Sequence, residues 1–161
     1  MQVIATTLSE TSEVSSGDDT EGLHPRIAAG PDGSMVALYL DHNYRLHLDS
    51  VEGDAFEELA LLGEVEIDES GDGQVPWALA VDDLDVAHLL IEDEAQGNAA
   101  LTYRTVKSDG TVGDAMVLTT DLADLPGMQR YAVGTDICGR ATVVTAQSSA
   151  DGTVLRIREG R

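Results

Sequence analysis

The segment "DESGDG" places oxygen-bearing side chains at alternate positions. Asp68, Ser70 and Asp72 are followed by a glycine, which matches the beginning of a calcium-binding loop of the D-x-[DNS]-x-D-G type. Carboxylate and hydroxyl oxygens suit a hard cation, and the glycine permits the sharp turn around it. The twelfth position, where such a loop carries glutamate, is Leu79. The motif therefore predicts either a Ca²⁺ site at Asp68, Ser70 and Asp72 or a plain acidic turn.

Two arginines and the only tryptophan form a second candidate site. Arg26 and Trp77 each follow a proline at the start of an apolar segment, and Arg130 takes the corresponding place in a third segment. Guanidinium groups bind carboxylates through paired hydrogen bonds, and an indole ring offers a surface for stacking. We predict that Arg26, Trp77 and Arg130 bind a carboxylate or carbohydrate ligand. The alternative is that Trp77 packs internally and the arginines pair with neighbouring acids.

The other reactive side chains do not form a recognisable catalytic set. Cys138 is the only cysteine, which excludes an internal disulfide, and no neighbouring histidine or basic cluster in the sequence would activate it. The histidines lack the spacing of a zinc site. The sequence contains neither a nucleophile elbow nor a phosphate-binding loop. We predict no catalytic residue and no cofactor apart from the possible Ca²⁺.

The charge of the chain limits its partners. The sequence has 30 acidic and 9 basic residues, for a net charge of −21. Such a surface repels the phosphates of nucleic acids and anionic membranes, and it favours cations or basic partners. No apolar run approaches the ~18 residues of a membrane-spanning helix. The opening "MQVIATTLSE" lacks the basic start and apolar core of a signal peptide. We expect a soluble protein and assign no compartment.

A repeated pattern organises the chain. Pro25 and Pro76 each precede a short apolar segment, a turn, a second apolar segment, a polar loop and an alternating third segment. The three copies span approximately residues 23–67, 75–120 and 127–161. In the third segments apolar residues such as Leu46 and Leu48 alternate with polar ones such as His47. A period of two is typical of half-buried β-strands.

A fourth segment follows in two of the copies. It reads "FEELALLG" in the first and "AMVLTTD" in the second, and the chain opening "QVIATTLSE" is similar to the latter. We therefore predict that residues 2–8 form a strand that closes a unit. Residues 54–63 could also form a helix, because Phe56, Leu59 and Leu62 have nearly helical spacing. The repeat favours a strand there.

Units of about 50 residues with four antiparallel strands resemble the blades of a β-propeller. The run from Pro25 to Val36, with Ala28, Asp32 and Gly33, is similar to repeats of sialidase-like and related extracellular propellers. The resemblance covers most of the chain. It implies one all-β domain over residues 1–161 with three four-stranded antiparallel blades. It also implies that the starts of the first strands, which carry the predicted ligand-binding residues, face a central channel.

Three blades would form an open arc, whereas propellers close with 4–8 blades. The exposed strand edges of an arc invite pairing. Two copies would complete a ring of six blades, so we predict a homodimer. The alternatives are a fragment of a longer chain or half of a propeller that a different polypeptide completes.

The function that best fits these features is non-enzymatic. We predict a binding or interaction scaffold with an acidic face that assembles by blade closure. The alternative is a hydrolase or lyase that acts on a sugar or small substrate at the centre of the ring. Such an enzyme should bring Arg26, Trp77 and Arg130 into one pocket with carboxylates such as Asp82 or Asp136.

Overall fold

The computed structural model describes residues 23–52, 55–65, 76–93, 100–125, 129–136 and 138–160. Within these ranges every regular element is a β-strand, and all strand pairs are antiparallel. The predicted all-β class is therefore confirmed. The described part of the chain holds no helix long and apolar enough to cross a membrane.

The strands form three sheets in which each strand pairs with its neighbours along the chain. The first sheet contains β1 (Leu23–Ala29), β2 (Met35–Leu40), β3 (Arg45–Glu52) and β4 (Ala55–Glu64). The second sheet contains β5 (Trp77–Val81), β6 (Ala87–Asp93), β7 (Ala100–Val106) and β8 (Met116–Thr119). The third sheet contains β9 (Tyr131–Thr135), β10 (Ala141–Ser149) and β11 (Gly152–Gly160). Among the described residues the sheets thus have four, four and three strands.

Five tight turns share one geometry. In each, the N–H of the first residue donates to the C=O of the fifth, and the N–H of the fourth donates back to the C=O of the first. These turns begin at Gly30, Asp41, Asp82, Lys107 and Asp136. The fourth residue always has a positive φ, between 57° and 94°; it is Gly33, Tyr44, Asp85, Gly110 and Gly139 in turn. This is a type I turn followed by a bulge residue, which explains why glycine occupies that position three times.

Strand β4 confirms the choice of strand over helix for its segment. Its register with β3 pairs Asp49 with Glu58 and Leu48 with Ala60, so Leu59 is an extra residue. A β-bulge of this kind shifts the alternation of side chains. Leu59 and Ala60 consequently both contact the core although they are neighbours in the chain. The nearly helical spacing of apolar residues in the segment reflects this bulge.

Two apolar layers separate the three sheets. The first layer joins the first and second sheets and contains Leu38, Leu40, Leu46, Leu48, Trp77, Leu89 and Ile91 among others. The second layer joins the second and third sheets and contains Leu90, Leu101, Leu118, Tyr131 and Val143. Successive residues of β6 face opposite layers, so the second sheet is covered on both faces. The outer faces of the first and third sheets are not covered by any other described sheet.

Candidate functional site

The predicted ligand-binding residues lie on, or directly before, the first strands of the three sheets. Arg26 lies in β1, Trp77 begins β5, and Arg130 directly precedes β9. Strand β1 contacts β5, and β5 contacts β9. Trp77 thus lies on the strand between β1 and β9, whereas no contact between Arg26 and Arg130 is observed among the described residues.

Trp77 packs as a core residue. Its side chain is completely buried in the first apolar layer, and its ring lies nearly perpendicular to the His24 ring, with the ring centroids 6.2 Å apart. His24 has a φ of 54°, and the register of β1 and β2 shifts between Leu23 and Arg26. Such bulges redirect side chains. The indole thus contacts protein, and its Nε1 has no hydrogen-bond partner among the described residues.

Arg130 forms an ion pair with Glu92 through Nη2 and Oε1. Glu92 lies near the end of β6, and its backbone N–H donates to the carbonyl of Pro76 at 2.7 Å. Both charged side chains are largely buried, which strengthens their attraction. The Nε of Arg130 remains without a partner within the described part of the chain. Glu92 was not predicted from the sequence, because it begins an acidic run in which no single residue stands out.

Tyr131 completes this group, and nothing in the sequence marked its hydroxyl. The residue is 4% exposed, and the hydroxyl makes no well-formed hydrogen bond to any described residue. Burial raises the pKa of Tyr131, and the charge of Glu92 and hydrogen bonding to Glu92 raise it further, while Arg130 and Arg26 oppose the shift. The hydroxyl therefore stays protonated and can donate a hydrogen bond.

The carboxylates expected in an enzyme lie elsewhere. Asp82 follows the last residue of β5, whereas Trp77 begins that strand. An extended strand of this length separates them by about 16 Å. The Oδ1 atoms of Asp82 and Asp136 each accept two backbone N–H groups of their own turns. These two aspartates stabilise turns and do not join Arg26, Trp77 and Arg130.

The predicted calcium ligands Asp68, Ser70 and Asp72 lie outside the described residues. Within the described ranges, no three metal-ligating side chains form a group. An acidic groove of about 560 Å³ does occur on the first sheet, with Asp32, Glu52 and Glu57 in its lining. The groove gives this part of the surface a negative potential.

The outer face of the third sheet carries exposed apolar side chains. Val143 of β10 faces the second sheet, and its partner on β11 is Arg158. Because side chains alternate along a strand, Leu155 and Ile157 point to the opposite face. They are 74% and 68% exposed. These two side chains give the outer face of the third sheet an exposed apolar area.

The outer face of the first sheet combines apolar and polar side chains. Ile27 is 67% exposed and Leu61 is 48% exposed. Beside them, the Tyr39 hydroxyl donates to Asp49 Oδ2 at 2.8 Å, and the Tyr39 ring stacks on His47. Asp49 is 5% exposed, and its Oδ1 has no partner among the residues described. Buried acceptors in native proteins are usually hydrogen-bonded, so this oxygen is an exception.

No protein family matches the sequence, and no curated protein is significantly similar to it.

Proposed function

We propose that the protein is a non-enzymatic interaction scaffold that two copies complete. In this assembly the third sheet of each copy packs against the first sheet of the other. The two contacts are equivalent, so the dimer is closed. Neither outer face remains free to bind a third copy. Six stacked sheets in a closed ring correspond to a propeller-like architecture with an acidic surface.

The exposure of equivalent leucine and isoleucine side chains in the three sheets supports this proposal. Leu46 and Leu48 on β3, the third strand of the first sheet, are completely buried by the second sheet. Leu101 on β7 is buried in the same way by the third sheet. Leu155 and Ile157 hold the corresponding place on β11 but are mostly exposed. A further sheet in the equivalent position would bury them, and burying each such side chain is worth about 1.5–3 kcal/mol.

The first sheet of a second copy offers a matching surface. Ile27 and Leu61 supply exposed apolar area for the contact. The unpaired Oδ1 of Asp49 supplies an acceptor for a hydrogen-bond donor of the incoming sheet. The outer faces of the first and third sheets are therefore the faces available for this contact, because no described sheet of the same copy covers them.

The strand predicted at residues 2–8 fits the same assembly. The third sheet has one strand fewer than the others, and every residue of β11 with a described side chain is exposed or half-buried. Residues 65–76 separate β4 from β5, and residues 120–130 separate β8 from β9. A linker of similar length, residues 9–22, separates the predicted strand from β1. We propose that residues 2–8 of one copy pair with the free edge of β11 in the other.

Light scattering coupled to gel filtration tests the assembly. The wild-type chain should have a mass of about 34 kDa, twice the 17.0 kDa of one copy. Ile157→Arg should reduce the mass to that of one copy because it places a charge in the apolar contact. This substitution makes the net charge less negative, so a loss of association cannot be attributed to added repulsion. Val117→Arg is the matched control, because Val117 is a 59% exposed apolar residue on β8.

The two outcomes are distinct. A dimeric wild type, a monomeric Ile157→Arg variant and a dimeric Val117→Arg variant support the proposal. A wild type that is monomeric at all concentrations, or equal masses for the two variants, would contradict it. Circular dichroism should show the same strand content in all three proteins, which separates dissociation from unfolding.

A further inference from the structure

We propose that His47 acts as a proton-dependent clamp that ties β4 to the β2–β3 turn on the outer face of the first sheet. The doubly protonated ring holds the carboxylate of Asp41 on one side and that of Glu58 on the other. When the ring loses one proton, it keeps Asp41 and releases Glu58. The clamp lies within one copy, so it does not depend on the association of two copies.

Both ring nitrogens of His47 lie next to carboxylate oxygens. Nε2 is 3.2 Å from Asp41 Oδ2, and Nδ1 is 3.0 Å from Glu58 Oε2. A carboxylate only accepts hydrogen bonds, and a neutral imidazole has a single N–H to donate. The imidazolium ion donates from both nitrogens and can therefore hold both carboxylates at once. A neutral ring would turn a lone pair toward one of the two carboxylates.

Asp41 is the partner that keeps its hydrogen bond when the ring is neutral. Its Oδ1 accepts the backbone N–H groups of Asn43 and Arg45 at 2.8 and 2.9 Å, which fix the carboxylate in its own turn. Burial alone would raise the pKa of Asp41, but hydrogen bonds from the Arg45 N–H, from His47 and from the Asn43 N–H outweigh burial and lower it. The side chain of Asp41 is 9% exposed, whereas that of Glu58 is 58% exposed and can be hydrated instead. Glu58 is therefore the partner that is released.

His88 in the second sheet shows why the second partner matters. Its Nε2 is 3.2 Å from Asp82 Oδ2, as in the first sheet, but its Nδ1 is 2.6 Å from the Tyr103 hydroxyl. A hydroxyl can donate as well as accept, so His88 can keep both contacts in either protonation state. The two histidines thus share the kind of first partner and differ in the second. His88 provides an internal control.

The ionisable groups next to the His47 ring on this face are mostly acidic. They belong to β2, the β2–β3 turn, β3 and β4, and they are Tyr39, Asp41, Arg45, Asp49 and Glu58. When the ring loses its positive charge, three carboxyl groups remain beside one arginine, and the repulsion between them favours the release of Glu58. Histidine side chains change charge between pH 5 and 8. The contact between His47 and Glu58 should therefore stabilise the protein at the acidic end of this range and be lost as the pH rises.

A double-mutant cycle between His47 and Glu58 tests the clamp. His47→Phe preserves a ring that can stack on Tyr39 and removes both nitrogens, and Glu58→Gln removes the charge. The parent, the two single variants and the double variant are unfolded with urea at pH 5.5 and at pH 8, all in the Ile157→Arg background so that self-association does not contribute. The coupling should change the folding equilibrium constant about threefold to fivefold at pH 5.5, as for other ion pairs with an exposed member, and should vanish at pH 8.

The matched cycle uses His88→Phe and Tyr103→Phe. Its coupling should be present at both pH values, because the Tyr103 hydroxyl can bond to the charged and to the neutral ring. A coupling that vanishes at pH 8 in this cycle as well would show that the pH acts on the whole structure and would overturn the proposal.

A comparison of single variants covers the case in which His47→Phe does not fold. Glu57→Gln is the control for Glu58→Gln, because Glu57 is an exposed neighbour on β4 and carries the same charge. Relative to this control, Glu58→Gln should lower the folding equilibrium constant about threefold at pH 5.5 and not at pH 8. Equal behaviour of the two variants at pH 5.5, or a coupling between His47 and Glu58 that is the same at both pH values, would contradict the clamp. Since every protein compared carries Ile157→Arg, these results do not depend on the proposed dimer.

Discussion

Asp82 and His88 are joined across the β5–β6 hairpin, with Asp82 Oδ2 3.2 Å from His88 Nε2. The Tyr103 hydroxyl lies 2.6 Å from the other ring nitrogen, Nδ1. A carboxylate only accepts hydrogen bonds, so the Nε2–H of His88 donates to Asp82. The same six-residue spacing joins Asp41 to His47 at 3.2 Å in the first sheet. In both sheets an aspartate at the start of a tight turn also fixes a histidine on the following strand.

Replacing Asp82 with asparagine should lower the stability of the protein and make that stability less dependent on pH in the acidic range. Burial alone would raise the pKa of Asp82, but hydrogen bonds from the Val86 N–H, His88 and the Leu84 N–H outweigh burial and lower it. A carboxylate with a lowered pKa stabilises the native state above its unfolded pKa of about 3.9, and this contribution is lost as the pH falls through the lower native value. We expect Asp82→Asn to reduce the free energy of unfolding at pH 7 by about 1–3 kcal/mol.

Urea unfolding at pH 7 and at pH 3 measures this effect. The difference between wild type and Asp82→Asn should shrink at the lower pH because protonation removes the same charge from the wild type. Asp151→Asn in the exposed β10–β11 turn is the control, and its free energy of unfolding should equal that of the wild type at both pH values. Equal differences at the two pH values would show that the charge of Asp82 does not contribute.

The strands were predictable because the alternation of apolar residues repeats from sheet to sheet. The third strands show this most clearly, since Leu46 and Leu48 are buried and His47 lies on the opposite face. Strand β4 was ambiguous for a physical reason. Its bulge at Leu59 breaks the period of two, and only the pairing partner β3 determines which residue is the extra one. A bulge depends on contacts between strands, which a local pattern does not contain.

The candidate site was only partly predictable. The position after a proline led to Arg26 and Trp77, and the alignment of the repeats added Arg130 at the corresponding place. Glu92 lies near the end of β6, 15 residues after Trp77 in the sequence. The antiparallel pairing of β5 with β6 places it beside the start of β5. Its partner Arg130 directly precedes the first strand of the third sheet. Contacts between sheets depend on packing angles, and no spacing in the sequence encodes them.

Two glycines in equivalent turns should differ in how they tolerate alanine. Gly33 and Gly110 both have a positive φ, of 94° and 80°. A Cβ at Gly33 would meet no atom within 4 Å, whereas a Cβ at Gly110 would lie 2.6 Å from the backbone oxygen of Leu59. Both variants should lose about 1–2 kcal/mol because of the left-handed conformation. Gly110→Ala should lose a further 1 kcal/mol or more, roughly, because backbone atoms must move.

Thermal or urea unfolding of the two variants provides the comparison. The cost of placing alanine in the left-handed conformation is the same in both variants. The difference between their free energies of unfolding therefore measures the contact between the β7–β8 turn and β4. If Gly33→Ala and Gly110→Ala are equally destabilised, the close approach of this turn to Leu59 is absent in solution.

Salt should strengthen the association of two copies. Each copy carries a net charge of −21, so bringing two together is opposed by repulsion, while the proposed contact through Leu155 and Ile157 is apolar. The Debye length falls from about 30 Å at 0.01 M salt to about 10 Å at 0.1 M. We expect the dimer dissociation constant to fall by about tenfold or more over this range. Sedimentation velocity at both concentrations measures it, and a dimer that weakens with salt would indicate attraction between charges instead.

Asp49 should destabilise an isolated copy at neutral pH. Burial raises the pKa of Asp49, although hydrogen bonding from Tyr39 and the proximity of His47 oppose this, and Glu58 adds to the increase. A carboxyl group with a raised pKa contributes its full stability below the unfolded pKa of about 3.9, and the contribution is lost as the pH rises through the native value. Asp49→Asn removes the charge and can still accept the Tyr39 hydrogen bond. In the monomeric Ile157→Arg background it should therefore raise the free energy of unfolding at pH 7 by about 1 kcal/mol.

The same substitution should have the opposite effect on assembly. If a second copy donates a hydrogen bond to Asp49 Oδ1, an amide in that place loses an acceptor and the dimer weakens, by about tenfold for a charge-assisted bond. Urea unfolding of Ile157→Arg with and without Asp49→Asn, at pH 7 and at pH 4, tests the first effect, and the gain should diminish at the lower pH. Sedimentation of Asp49→Asn in the otherwise wild-type chain tests the second. A variant that unfolds more easily as a monomer at pH 7 would show that Asp49 is already satisfied within one copy, and an unchanged dimer would show that its free oxygen does not face the partner.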